Sequence, residues 1–177
     1  MKIAVYTISK NEEKYVERWY ESSKEADYHI LADTGSTDRT VEIARSLGIT
    51  VVEIYVNPFR FDDARNASLL VVPIDVDYCI ALDVDEVLAP GWRKALEKAH
   101  AAGIDRPTYR RIEAFHEDGS VATEFNGFKV HRRFGIRWHY PIHEVPHWYG
   151  EGEEKQEFIE GFEVHHHQNK ETSRKQY

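Results

Sequence analysis

The chain has 177 residues, 41% hydrophobic and 31% charged, which is the length of one ordinary domain with enough apolar residues to bury a core, so disorder is excluded. The formal net charge of -8 argues against broad nucleic-acid binding, which needs a basic face. A chain this acidic that is to hold an anionic ligand needs local help, and a divalent cation is an obvious source.

Residues 3–8, Ile-Ala-Val-Tyr-Thr-Ile, read as a buried first strand, and residues 12–25 as a helix with Tyr15, Val16, Trp19 and Tyr20 at helical spacing. A second strand follows at 28–32. Gly35-Ser36-Thr37-Asp38 is a turn rich in capping residues that opens a helix with Val41, Ile43, Ala44 and Leu47 inward and Gly48 as its stop. A third strand is expected at 50–56, a helix at 62–72, a fourth strand at 77–82 and a helix at about 91–102. Strands apolar throughout and alternating with helices imply a mainly parallel sheet covered on both faces. The single cysteine, Cys79, lies in the fourth apolar run and reads as a core residue.

The pattern changes after residue 105. Residues 109–115 and 122–133 alternate as antiparallel strands do, with a turn at 116–120. The whole is expected to be one α/β domain over 1–177: a nucleotide-binding half over 1–104, an acceptor and metal half over 105–168, and a polar tail over 169–177 at which a longer chain is expected to be cut. The apolar start is too short for a signal peptide and no run reaches membrane-spanning length, so the protein reads as cytoplasmic, with work at the inner membrane surface left open.

Ligands of open parallel α/β sheets bind beyond the carboxyl ends of the strands. There the sequence places Ser9, Asn11 and Glu12 after strand one, Asp33 after strand two, and Asp83-Val84-Asp85-Glu86 after strand four. Alternation along a strand would point Asp83 and Asp85 the same way, and two like charges that close call for a cation between them. Carboxylate oxygens suit Mg2+ or Mn2+, and a bound diphosphate would add more. Asp33 reads as a hydrogen-bond partner of a nucleobase or ribose, or as a turn former. Asn11 and Glu12 read as helix caps or base-binding groups.

Ser9-Lys10-Asn11-Glu12-Glu13, Ala32-Asp33-Thr34-Gly35-Ser36-Thr37-Asp38-Arg39-Thr40 and Asp83-Val84-Asp85-Glu86 together resemble the nucleotide-binding signature of family 2 glycosyltransferases, in the family's order and spacing. Phe61-Asp62-Asp63-Ala64-Arg65-Asn66 resembles a further family element, in which the Arg-Asn pair opens a helix near the donor. The resemblance implies the GT-A fold, a nucleotide-diphosphate-sugar donor (a UDP-sugar first), transfer with inversion, Asp33 near the nucleobase, Asp83 near the ribose or metal, and Asp85 on the metal. Ser9, Asn11, Glu12, Arg65 and Val84 are expected to complete the donor site. Arg39 stands where many members carry glycine.

Eight of the ten histidines lie between His116 and His167. In Trp138-His139-Tyr140-Pro141-Ile142-His143-Glu144, the glutamate suits the general base that takes an acceptor hydroxyl's proton; its rival reading is a surface ion pair with Arg132, Arg133 or Arg137. The Ile-His-Glu triplet also resembles a segment of small family 2 members. After the apolar Phe162-Glu163-Val164, alternation sends His166 to one side and His165 with His167 to the other. His166 is the expected third metal ligand beside Asp85 and Asp83, with His165 and His167 as alternatives. Arg132 and Arg133 are candidates for the diphosphate, and Trp138, Tyr140, Trp148 and Tyr149 for stacking on a sugar or for the core. The competing functions are a sugar-1-phosphate nucleotidyltransferase, disfavoured because no glycine-rich basic loop follows strand one, and a non-catalytic nucleotide-sugar-binding module.

Overall fold

A computed structural model describes residues 1–167; the tail expected at 169–177 lies outside them. The first four strands, β1 (Ile3–Ser9), β2 (Tyr28–Asp33), β3 (Thr50–Glu53) and β4 (Tyr78–Ala81), form a parallel sheet in the order β3-β2-β1-β4. The central strand β1 is buried on both faces. Ile3 and Val5 join one apolar cluster with Val16, Trp19 and Leu31, while Ala4 and Tyr6 join the other with Leu69, Cys79 and Trp138. This is the period-two split that a doubly covered strand produces.

The helices follow their apolar spacing. In α1 (Val16–Ser23) the buried residues are Val16, Trp19 and Ser23. The helix is shorter than the 12–25 expected, because Asn11 takes a left-handed backbone, φ 58°, and residues 12–15 form a turn before the helix begins. Helix α2 spans Thr40–Ser46. In α4 (Trp92–Ala101) the buried set is Trp92, Ala95, Leu96 and Ala99, one apolar stripe. In α3 (Phe61–Val71) the buried face carries Ala64, Arg65, Ser68 and Leu69. The Arg65-Asn66 pair therefore sits inside a helix rather than opening one, and an arginine occupies a core-facing position.

The second half departs further from expectation. The 122–133 run is two strands that part company. The first, β7 (Val121–Gly127), pairs antiparallel with β6 (Arg106–Phe115). The second, β8 (Val130–Arg132), crosses to pair antiparallel with β4 at the edge of the first sheet. A short strand β5 (Glu86–Leu88), unforeseen in the sequence, opens a second sheet of order β5-β11-β6-β7, with β11 at Gln156–His166. There β11 runs parallel to β6 and antiparallel to β5, so this part is not purely antiparallel. Strands β9 (Ile136–His139) and β10 (Val145–Trp148) make a separate hairpin. No helix among the described residues is long and apolar enough to cross a membrane.

Asp83-Val84-Asp85 does not lie on a strand. Strand β4 ends at Ala81, and the triplet is the turn into β5. The alternation argument for a shared direction thus fails, and each carboxylate is aimed by its own neighbours. Glu86 locks this turn. Almost fully buried, it accepts the Asp83 N–H at 3.0 Å through Oε2 and the Arg111 Nε–H at 2.7 Å through Oε1.

Candidate functional site

A cavity of about 290 Å³ opens at the carboxyl ends of β1 and β4. Glu12, Arg65, Asp83, Asp85, Lys129 and Glu144 supply its polar lining, and Ile8, Phe61 and Val84 the apolar part. Six of the residues singled out in the sequence therefore meet in one place: Glu12, Arg65, Asp83, Val84, Asp85 and Glu144. Lys129, which joins them, carried no signal of its own.

Asp83 is bound by two cations. Arg65 Nη2 donates to its Oδ1, and Lys129 Nζ donates to its Oδ2 at 2.5 Å. Burial would push this carboxyl up, but the two cations outweigh it and hold Asp83 far below the usual carboxylate range. Arg65 is 2% exposed and also reaches Glu144, its Nε lying 3.1 Å from Oε1. Burial disfavours the charged guanidinium, yet Asp83 and Glu144 together raise its affinity for the proton. Glu144 is thus ion-paired, but with Arg65 rather than with Arg132, Arg133 or Arg137. Arg132 pairs with Asp105 at 3.5 Å, and Arg133 donates to the carbonyls of Val72 and Pro73 at the end of α3. Neither lines the cavity.

Asp85 turns the other way, toward β11. Its Oδ2 lies 2.9 Å from His166 Nε2, and the other ring nitrogen, Nδ1, lies 2.9 Å from Glu113 Oε1. The hydrogen bond to Asp85 raises the pKa of His166 against the opposing effect of burial. The neighbouring histidines sit across the strand. The rings of His165 and His167 both pack against Phe115. Register fixes this choice, since His166 lies opposite Glu86 on β5 and the His167 N–H donates to the Asp85 carbonyl at 3.0 Å. Among the described residues no three His, Cys, Asp or Glu side chains surround one point as a ready metal site. Asp83 is engaged by Arg65 and Lys129, while Asp85 faces His166.

Ser9, Asn11 and Asp33 form a second group beside the cavity, where two loops are stitched together. Asp33 accepts the N–H groups of Gly35 and Ser36, each at 3.0 Å, and the Ser36 hydroxyl at 2.5 Å, so it holds its own turn. Gly35, at φ 105°, supplies the conformation that turn needs. Asn11 Oδ1 accepts the Thr37 N–H at 2.8 Å. Ser9 is buried and its Oγ has no hydrogen-bond partner. Glu12 connects the groups, its N–H donating to Thr40 Oγ1 at 2.7 Å while its side chain faces the cavity. Burial first, then the charges of Asp85, Asp38 and Asp83, push its carboxyl up to about 7.

The hairpin that carries Glu144 is docked by the residue next to Arg65. Asn66 Nδ2 donates to the Trp138 carbonyl, and Asn66 Oδ1 accepts the Trp138 N–H, both at 2.9 Å, so its amide completes a strand-like pairing. Trp138 is core, its Nε1–H donating to the Tyr6 hydroxyl at 2.8 Å. Tyr140 and Tyr149 remain exposed.

The family model of glycosyl transferase family 2 matches residues 4–162. An uncharacterized glycosyltransferase of Rickettsia bellii is 35% identical over 102 residues, covering 57% of this chain and 33% of that protein. The chain thus spans about a third of the length of this relative. Glucosyl-3-phosphoglycerate synthase from Mycobacterium tuberculosis, in complex with Mn2+, UDP-glucose and phosphoglyceric acid, superposes with a TM-score of 0.52 at 26% identity, over 62% of this chain and 44% of that one. S. aureus TarS 1-349 superposes with a TM-score of 0.58 at 19% identity, over 70% of this chain and 39% of that one.

Proposed function

Since the chain belongs to glycosyl transferase family 2 and carries its GT-A fold, we propose that it moves a sugar from a nucleotide-diphosphate donor to an acceptor hydroxyl by a single displacement with inversion, with UDP as the nucleotide. The observation that carries the reading is the meeting of Asp83, Asp85 and Glu144 in one cavity at the strand ends. The Mn2+ and UDP-glucose bound to the mycobacterial synthase support the choice of donor and cation.

The residues fit a divalent cation. Histidine ligands of metals commonly give their second ring nitrogen to a carboxylate, which orients the ring. His166 has this arrangement, with Glu113 on Nδ1 and Nε2 facing Asp85. Asp85 and His166 would hold the ion, and diphosphate oxygens would complete its shell. When bound, the cation neutralises charge on the departing diphosphate.

The chain's own groups do the rest. Asp83, its charge already balanced by Arg65 and Lys129, accepts hydrogen bonds from ribose or sugar hydroxyls and is not assigned to the metal. Asp33, Ser9 and Asn11 border the nucleoside. Glu144 takes the acceptor hydroxyl's proton as that oxygen bonds to the anomeric carbon and the bond from that carbon to the diphosphate oxygen breaks, the electron pair leaving with the nucleotide.

The test is a calorimetric titration of UDP and UDP-glucose with and without Mn2+ on the native chain and on Asp85→Asn. Binding strengthened by Mn2+ in the native chain and insensitive to it in Asp85→Asn is the expected result. Absence of nucleotide binding in every condition sinks the reading.

A further inference from the structure

We propose that Arg65 is a positioning residue that fixes the distance between the donor-side carboxylate, Asp83, and the acceptor-side base, Glu144, and so acts on turnover through Glu144 rather than on donor binding. This rests on the proposed transferase reading, and it replaces the sequence expectation that Arg65 binds the nucleotide.

The geometry is specific to a guanidinium. One face of the fork, Nη2, serves Asp83; the Nε–H serves Glu144 at 3.1 Å. The guanidinium carbon lies 5.6 Å from the centre of the Trp138 ring, and Trp138 is itself fixed by Asn66 and Tyr6. The third nitrogen, Nη1, is buried with no hydrogen-bond partner. A group placed to saturate its own donors would not leave one orphaned in a buried site. The placement is set by the two carboxylates and the indole. A planar fork with fixed donor directions sets a spacing between two anions; an ammonium on a flexible stem does not.

The two carboxylates depend on Arg65 unequally. Asp83 has a second cation, Lys129 at 2.5 Å. Glu144, 11% exposed at its side chain, has Arg65 as its one ion-pair partner among the described residues. Loss of the fork therefore leaves Asp83 neutralised and Glu144 adrift. Consecutive residues of α3 divide the labour: Asn66 docks the hairpin backbone, and Arg65 holds the side chain that emerges from its loop.

The experiment measures donor affinity and turnover separately. Affinity is read by titrating UDP-glucose with Mn2+, and turnover by UDP release from UDP-glucose with water as acceptor, in the native chain, Arg65→Lys, Lys129→Met, Glu144→Gln and the Arg65→Lys/Glu144→Gln double variant. Arg65→Lys is expected to lose about 100-fold in turnover, the size of effect that roughly 1 Å of misplacement produces, while donor affinity stays within about threefold. Lys129→Met is expected to show the reverse bias. In the Glu144→Gln background the Arg65→Lys change is expected to cost nothing further, because its route of action is already gone. Equal losses of affinity and turnover in Arg65→Lys, full retention of turnover, or an undiminished Arg65→Lys effect in the double variant would each overturn the proposal. If Arg65→Lys does not fold, the ratio of affinity to turnover in Arg65→Gln decides it by the same criteria. A native chain that neither binds nor hydrolyses UDP-glucose would instead indict the transferase reading.

Discussion

Glu113 Oε1 stands 2.9 Å from Nδ1 of His166, on the side of the ring away from Asp85. The glutamate comes from β6 and the histidine from β11, neighbouring strands of the second sheet. Glu113 is itself held, since Arg111 Nη1 donates to its other oxygen. The pair orients an imidazole that would otherwise rotate freely toward either face.

Glu113→Gln should therefore weaken the binding of Mn2+ in the presence of UDP by about 10- to 100-fold, the usual cost of losing a carboxylate behind a histidine ligand. Nucleotide affinity measured without the cation should not change. A Mn2+ titration followed by electron paramagnetic resonance reads the difference directly. Unaltered Mn2+ affinity would remove Glu113 from the site.

His131 ties acid sensitivity to the core. The Trp138 indole donates to the Tyr6 hydroxyl, which lies 2.9 Å from His131 Nε2, while His131 Nδ1 donates to the Arg132 carbonyl at 2.6 Å. Burial lowers its pKa from 6.5 to about 4, so the folded protein keeps the ring neutral where the unfolded chain protonates it. The stabilisation is complete above pH 6.5 and is lost as pH falls from 6.5 to about 4, a loss of about 3 kcal/mol. In urea unfolding, the stability gap between the native chain and His131→Gln should narrow over that window. A gap that holds constant from pH 7 to pH 4.5 would count against it.

Glu12 runs in the opposite sense. Its carboxyl is raised to about 7 in the fold, chiefly by burial and secondarily by Asp85, Asp38 and Asp83. The folded chain keeps a proton that the unfolded chain gives up, so stability falls as pH rises from about 4.5 to about 7. Glu12→Gln should stabilise the fold at pH 8 by about 1 kcal/mol after allowing for solvent at this half-exposed group, read as a higher melting temperature, and leave stability nearly unchanged at pH 4.5. The measurement is made without nucleotide or cation. An equal gain at both pH values would mean that charge burial is not the cause.

Gly127 is fixed by a neighbour rather than by its backbone. A Cβ there would lie 2.2 Å from Tyr109 Cε2, and Tyr109 is fully buried against Phe162. The Lys129 N–H reaches the Tyr109 hydroxyl at 3.4 Å, so a displaced ring disturbs the residue that neutralises Asp83. Gly127→Ala should cost about 1–3 kcal/mol, the range for overpacked cores, and should also weaken UDP-glucose binding. A neutral effect on chemical denaturation would show that the ring can yield.

The first half of the fold was legible because its strands are apolar runs of the right length between capped helices, and because carboxylates cluster where such runs end. His166 could be separated from its neighbours by alternation alone, since β11 is regular through residues 163–166. The direction of Asp83 and Asp85 was not legible, because it depends on a turn locked by Glu86 and on cations drawn from α3 and from the residue before β8. Nothing local marks Lys129 or Glu113; each matters only through strand pairing across long stretches of chain. The resemblance placed Arg65 in the donor site, but its burial on the inward face of α3 was not legible, because arginines seldom occupy the inward stripe of a helix.

The pairing of β5 with β11 brings Asp85 and His166 together across 81 positions. Long-range closures of this kind are slow relative to local ones. In synthesis from the amino terminus, the parallel sheet can assemble well before the strand bearing His166 has emerged, and a partner for Asp85 arrives with the last described strand. On the proposed reading, competence to hold a cation would be a mark of completed assembly. A nascent or clipped chain ending ahead of residue 166 would retain most of the loops at the strand ends yet lack the histidine that faces Asp85.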